Sequence, residues 1–106
     1  MIAMVDGPEE IAQNVVLTPA QKNAVTLMLA YEKRLMNESR WVDYPHAIIA
    51  GGPTTTDGGQ PFIHFLTARR LEDKGLVRCI WDQENSGCEL TQAGRYVAYD
   101  IERKAS

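Results

Sequence analysis

The chain has 106 residues, of which 44% are hydrophobic and 24% are charged, and this length allows one domain with a single core. Its formal net charge is −3, so it is not basic throughout, and contacts with nucleic-acid phosphates would have to come from a local group of cations. No positive charge precedes Lys22 and no apolar run reaches membrane-spanning length, so we expect a cytoplasmic protein without a signal peptide or a membrane partner.

Residues 1–16 predict an N-terminal arm or a short helix. The GPEE sequence at residues 7–10 can begin a helix, and Ile11 and Val15 would then share one helix face. Two interpretations stay open for this segment. It could pack on its own domain, or it could serve as a dimer arm.

A long helix is predicted to begin after Leu17. Thr18 and Gln21 have the spacing of a capping box, and Pro19 occupies the first helical position. Apolar residues then recur at helical spacing, and only Glu32 interrupts the stripe. The helix is therefore expected to be core scaffolding, with a stripe formed by Val25, Met28, Leu29, Leu35 and Met36.

Residues 41–60 predict a short helix and a long loop. The PHAIIA sequence can form a helix that Pro45 begins and Gly51 ends. The loop at residues 51–60 is rich in glycine and threonine and contains no lysine, so it is not a phosphate-binding P-loop. It is interpreted as a surface insertion, with a binding loop as the alternative.

Residues 61–99 predict a helix, a β-hairpin and a second helix. Pro61 can begin the first helix and Gly75 can end it in the left-handed conformation. LVRCIWD and CEL are strand-forming sequences separated by the turn residues QENSG. Thr91 is suited to be the N-cap of the last helix, because its hydroxyl can accept an amide proton from the first turn.

The LEDKGLVRC and ELTQAGR sequences resemble the end of the recognition helix, the wing and the start of the following helix in MarR-type and related bacterial winged-helix regulators. LTPAQ at residues 17–21 is similar to the opening of the family's first DNA-binding-module helix. The resemblance covers the chain from Leu17 to about Tyr99 and implies a winged helix-turn-helix domain over residues 17–104. This would be an α+β fold, mostly α, with a three-helix core, a β-hairpin wing and a C-terminal helix. The matching residues are Leu71, Gly75, Leu76, Val77, Leu90, Thr91, Gly94 and Arg95.

Two departures from this pattern are visible. The loop at residues 51–60 is longer than the three- or four-residue turn of a helix-turn-helix motif. The predicted wing carries Asp82 and Glu84 and no cation at its tip, which would repel phosphates.

The first functional interpretation is a small DNA-binding protein, a homodimeric transcriptional regulator of bacterial or phage type. Its central helix would enter the major groove of double-stranded DNA, where arginine and lysine can contact base edges and phosphates. The helix after the wing often joins the dimer interface in related regulators. The predicted DNA contacts are Arg69, Arg70, Lys74 and Arg78.

The alternative interpretation is a winged-helix module for protein–protein interaction, such as a phage or mobile-element inhibitor or adaptor that binds a host protein complex without reading DNA. Phe62 and Leu66 lie on the helix face that should be polar in a DNA reader. They are expected to pack beneath residues 47–50, or otherwise to form an apolar patch. The candidate interface residues are Phe62, Leu66, Trp81, Asp82, Glu84, Tyr96 and Tyr99.

Catalysis, metal binding and cofactor binding have little support in the sequence. His46 and His64 belong to different predicted elements, and His64 falls on the predicted core face. Cys79 and Cys88 lack zinc-site spacing, and no GxSxG motif is present. The two cysteines could face each other across the hairpin, although a cytosolic chain would keep them as thiols.

Overall fold

A computed structural model of the chain describes residues 15–38, 47–52, 55–56 and 59–105. Most of the predicted N-terminal arm therefore lies outside the described residues, as do Pro45 and His46 and part of the loop at residues 51–60. The helices in the described part are α1 (Pro19–Asn37), α2 (Phe65–Asp73) and α3 (Gln92–Ala105). The strands are β1 (Ala47–Ala50), β2 (Thr55–Thr56), β3 (Pro61–His64), β4 (Val77–Ile80) and β5 (Gly87–Leu90).

The strands form one sheet in the order β2-β3-β1-β5-β4. β1 and β3 are parallel, whereas the other neighbouring pairs are antiparallel. The buried core takes Met28 from α1, Ile63 from β3, Leu71 from α2, Cys88 from β5 and Val97 from α3. All three helices thus share one core with the sheet, and the α+β class is confirmed.

α1 begins as the sequence predicts. The backbone N–H of Gln21 donates to Thr18 Oγ1 at 3.2 Å, and the Thr18 N–H donates to Gln21 Oε1 at 3.1 Å. This capping box satisfies two amides that the first turn leaves without helical partners. The predicted apolar stripe is buried except for Met36, whose side chain is 73% exposed.

The short helix predicted between Pro45 and Gly51 is wrong over residues 47–50, which form β1. Ile48 lies opposite Phe62 of β3 on one side and Gly87 of β5 on the other. β-Branched residues suit an extended strand, and the two neighbouring strands supply hydrogen-bond partners for its backbone.

The helix predicted to begin at Pro61 begins at Phe65 instead. Pro61 is the first residue of β3, a position that tolerates proline because no ladder hydrogen bond is needed there. His64 then caps α2, since its Nδ1 accepts the N–H of Leu66 at 3.1 Å. A strand rather than a helix thus precedes α2, so the described residues contain no helix-turn-helix at the predicted place.

α2 ends at the glycine that the sequence marks as its stop. Gly75 has a φ angle of 77°, in the left-handed region. Its N–H donates to the Glu72 carbonyl at 2.9 Å, and the Leu76 N–H donates to the Leu71 carbonyl at 3.0 Å. This is a Schellman motif, and burial of both leucines supplies its usual hydrophobic contact.

The predicted hairpin is confirmed as β4 and β5. Cys79 lies opposite Cys88, and Arg78 lies opposite Glu89. Ser86 closes the tip, because its hydroxyl donates to the Asp82 carbonyl at 2.6 Å and accepts the Asp82 N–H at 3.0 Å.

Thr91 and Gly94 fasten α3 to the end of α2. The Thr91 hydroxyl donates to the Gly75 carbonyl at 2.7 Å and accepts the Gly94 N–H at 3.1 Å, as a helix N-cap does. The Thr91 N–H donates to the Leu76 carbonyl at 3.0 Å. A Cβ atom on residue 94 would lie 2.0 Å from that same carbonyl oxygen. Only glycine therefore permits this approach.

Replacing Gly94 with alanine should lower the free energy of unfolding by about 3 kcal/mol, because the added methyl group meets a backbone oxygen that cannot easily move. Urea denaturation followed by circular dichroism measures the change. Gly52 is the matched control, since nothing lies within 4 Å of its added Cβ, and its alanine variant should stay within about 0.5 kcal/mol of the parent. Equal midpoints for the two variants would show that the close packing is absent.

Candidate functional site

One side of α2 is turned to solvent. Phe65 and Leu66 are 43% and 45% exposed, and Arg69, Arg70 and Asp73 are exposed beside them, whereas Ala68 and Leu71 are buried on the opposite side. We call these five exposed residues the α2 face. The structure brings the predicted DNA contacts Arg69 and Arg70 together on it. The expected burial of Leu66 is wrong, because its side chain lies on the solvent side of α2, opposite the buried Ala68 and Leu71, and is left exposed there.

The hairpin extends the α2 face through Trp81. The Arg69 guanidinium carbon lies 5.3 Å from the centre of the Trp81 ring, a cation–π contact. The Trp81 side chain is 43% exposed. It therefore adds an aromatic surface beside the two arginines.

Glu72 holds the hairpin against α2. One carboxylate oxygen accepts the indole N–H of Trp81 at 3.2 Å, and the other accepts the backbone N–H of Cys79 at 3.1 Å. Glu72 is a functional residue that the sequence did not reveal, because no motif marks it. Its position in the last turn before the glycine stop, beside the following strand, is the signal that could have pointed to it.

The other two predicted DNA contacts have partners within the protein. The Lys74 ammonium donates to the Val16 carbonyl at 2.5 Å and to Gln21 Oε1 at 3.0 Å, which ties α2 to the start of α1. Arg78 forms an ion pair with Glu89 across the hairpin. Their contact with DNA stays a prediction, but Lys74 already has a structural role and Arg78 is partly neutralised.

Ion pairs between α1 and α3 neutralise further cations. Lys33 Nζ lies 2.6 Å from a Glu102 carboxylate oxygen, and Arg95 Nε lies 2.5 Å from Glu32. The hydrogen bond to Glu102 raises the pKa of Lys33, and the hydrogen bond to Glu32 raises the pKa of Arg95. These charges fasten the two helices together.

The end of α3 is neutralised internally. Asp100 lies 2.8 Å from Arg103 and 3.0 Å from Lys104, and hydrogen bonds from these two cations lower the pKa of its carboxyl group. Within the described ranges, the cations without a carboxylate partner are Lys22, Arg69, Arg70 and Lys74. The uncompensated positive charge therefore lies on α2 and the first turn of α1.

The remaining candidate interface residues occupy three places. Asp82 and Glu84 are exposed at the hairpin tip, and Phe62 is half-buried on β3. Tyr96 and Tyr99 are exposed on α3, where they line an open surface concavity of about 520 Å³ together with Glu102 and Arg103. The structure therefore groups Leu66 and Trp81 near α2 but does not join all the predicted interface residues into one surface.

The described part of the chain has neither a metal-binding cluster nor a membrane-spanning helix. No group of three His, Cys, Asp or Glu side chains there could hold a metal ion. No helix there has both the length and the apolar character needed to cross a bilayer. His64 is the cap of α2 rather than a core residue.

Comparison of the chain with protein-family models, with curated proteins and with solved structures finds no match.

Replacing Glu72 with alanine should destabilise the protein by about 1 kcal/mol, because the Cys79 and Trp81 N–H groups lose their acceptor. Urea denaturation measures the change. The neighbouring exposed Asp73 supplies the control, and its alanine variant should change stability by less than about 0.5 kcal/mol. An unaltered midpoint for the Glu72 variant would contradict the bridging role of this carboxylate.

Proposed function

We propose that this chain is a small DNA-binding protein that uses the α2 face to contact a duplex. The observation that carries the proposal is the pair Arg69 and Arg70, exposed side by side on one helix and without a carboxylate partner among the described residues. Most other described cations are ion-paired. The order helix, hairpin, helix and the resemblance to MarR-type regulators support the same function.

The dimensions of α2 suit a major groove. Its nine residues give a length of about 13 Å, and a helix of about 10–12 Å diameter fits a groove about 12 Å wide. Arg69 and Arg70 would reach phosphates or guanine edges, and Phe65 or Leu66 could contact a thymine methyl group. The cation–π contact with Trp81 restricts Arg69 before binding.

The acidic hairpin tip limits the affinity. Asp82 and Glu84 would be repelled by phosphates, so the tip would have to point away from the backbone. The phosphate contacts of one chain are then few. A homodimer would double them, and dimerisation is part of this proposal.

The test is fluorescence anisotropy of a labelled random duplex, titrated at several salt concentrations. We expect a dissociation constant of about 10⁻⁶–10⁻⁴ M at physiological salt, as for non-specific binding. Replacing Arg69 and Arg70 together with alanine should weaken binding at least about tenfold and reduce the magnitude of the salt slope by about 2, since each lost phosphate contact removes about 1.

The charge-matched control replaces Arg103 and Lys104 with alanine. This double variant also loses two positive charges, but Arg103 and Lys104 lie at the end of α3 and are paired with Asp100. The control should bind as the parent does. No binding at low salt, or equal losses for the two double variants, would contradict recognition through the α2 face.

A second candidate function has its own supporting observation. Phe65, Leu66 and Trp81 are all more than two-fifths exposed around Arg69, and aromatic residues with arginine are typical of protein-binding hot spots. The α2 face would then dock on a host protein complex, with the chain acting as an inhibitor or adaptor that does not read DNA.

The Leu66→Asp variant tests this second function. A protein captured from host lysate by the parent chain would be identified, purified and titrated against each variant. Binding through the α2 face predicts at least about a tenfold loss for Leu66→Asp, as for a hot-spot residue. Met36→Asp is the control, since Met36 is exposed at the end of α1. Equal affinities for both variants would eliminate the α2 face as the docking site.

A further inference from the structure

Cys79 and Cys88 occupy a pair of positions that do not hydrogen-bond to each other in the hairpin. They are register partners in the antiparallel β4–β5 ladder. Hydrogen-bonded and non-hydrogen-bonded pairs alternate along an antiparallel ladder. The Thr91 N–H donates to the Leu76 carbonyl, so that Leu76 and Thr91 are a hydrogen-bonded pair and Cys79 and Cys88, three pairs further on, are not. In agreement with this, the Cys79 N–H donates outward to Glu72. Facing residues at such positions have Cα atoms about 4.5 Å apart. That separation lies within the range that a disulfide bond can span.

The two thiols also lie on the same face of the hairpin. Cys79 and Cys88 face each other across the ladder, and side chains of facing residues lie on the same side of a sheet. The Cys79 thiol in turn lies 3.7 Å from the Ala68 carbonyl oxygen, to which it donates. Both cysteines are free thiols in the structure. No large backbone movement is therefore needed to link them.

The two cysteines differ in access to solvent. Cys79 is half-buried at the sheet edge, whereas Cys88 is fully buried. The interaction with the neighbouring Cys79 thiol and, second, burial raise the pKa of the Cys88 thiol. Cys79 is therefore the thiol that a small oxidant meets, and Cys88 is the neutral thiol behind it.

We propose that Cys79 and Cys88 form a site of oxidative modification, at which a peroxide converts the facing thiols into a disulfide bond across β4 and β5. This inference is independent of what the α2 face binds.

The chemistry balances with one molecule of hydrogen peroxide. The Cys79 thiol gives up its proton and its sulfur attacks one peroxide oxygen, so that an S–O bond forms, the O–O bond breaks, and the departing hydroxide takes up that proton and leaves as water. The Cys88 sulfur then attacks the Cys79 sulfur, an S–S bond forms and the S–O bond breaks. The departing hydroxide takes the Cys88 proton and leaves as a second water. Two thiols are oxidised to one disulfide while the peroxide is reduced to two waters.

The test treats the reduced protein with hydrogen peroxide, denatures it, blocks free thiols with N-ethylmaleimide and measures the intact mass. We expect a monomer that has lost two hydrogen atoms and accepts no maleimide. Dithiothreitol should restore a product with two maleimide groups. Peptide mapping should find Cys79 joined to Cys88.

Two variants assign the roles of the cysteines. Cys88→Ser should stop at a sulfenic acid on Cys79, which dimedone traps, because the second thiol is missing. Cys79→Ser should keep Cys88 reduced under the same exposure, because that thiol is buried. Circular dichroism checks that each variant is folded, and the wild-type mass decides the proposal if either is not. Two free thiols after treatment, sulfinic acid at Cys79 beside a free Cys88, or a disulfide only between chains would overturn it.

Discussion

The carbonyl oxygen of Leu76 is the atom on which the arrangement of α2, the hairpin and α3 most depends. It accepts the Thr91 N–H at 3.0 Å and lies where a Cβ on residue 94 would come within 2.0 Å. The Leu76 N–H completes the end of α2, and its side chain is fully buried. One residue thus ends a helix, begins a strand and supports the next helix. This junction, together with the Glu72 hydrogen bonds to Cys79 and Trp81, sets the position of the α2 face relative to Trp81.

Helix starts and stops that depend only on residues close in sequence could be predicted. The capping box at Thr18, the left-handed stop at Gly75 and the cap at Thr91 each need only residues within a few positions, so local chemistry decides them. β1 and β3 could not be predicted in the same way. Their strand pairing joins residues 47–50 to residues 61–64 and 87–90, and such distant partners can override local helix signals.

In the candidate site, too, local features could be predicted from the sequence, whereas contacts between elements could not. Helical periodicity was enough to predict that Arg69 and Arg70 face solvent together. The bond from Lys74 to the start of α1 joins segments far apart in sequence, and the double role of Glu72 depends on how the hairpin folds back against α2, so helical periodicity alone does not reveal them. Of the four cations predicted to contact DNA, Lys74 and Arg78 have hydrogen-bond or ion-pair partners within the protein, which leaves the two arginines of the α2 face for phosphate contacts. DNA recognition by one chain would therefore be weak and sensitive to salt.

Native-state hydrogen exchange at the Thr91 amide tests the central claim most directly, because this proton lies in the bond to Leu76. If the junction holds α2, the hairpin and α3 together, the Thr91 amide should exchange only through global unfolding, with the same opening free energy as amides in the buried part of α1 such as Met28. Exchange through a local opening of much lower free energy, while the α1 amides stay protected, would show that the junction does not hold these three elements together.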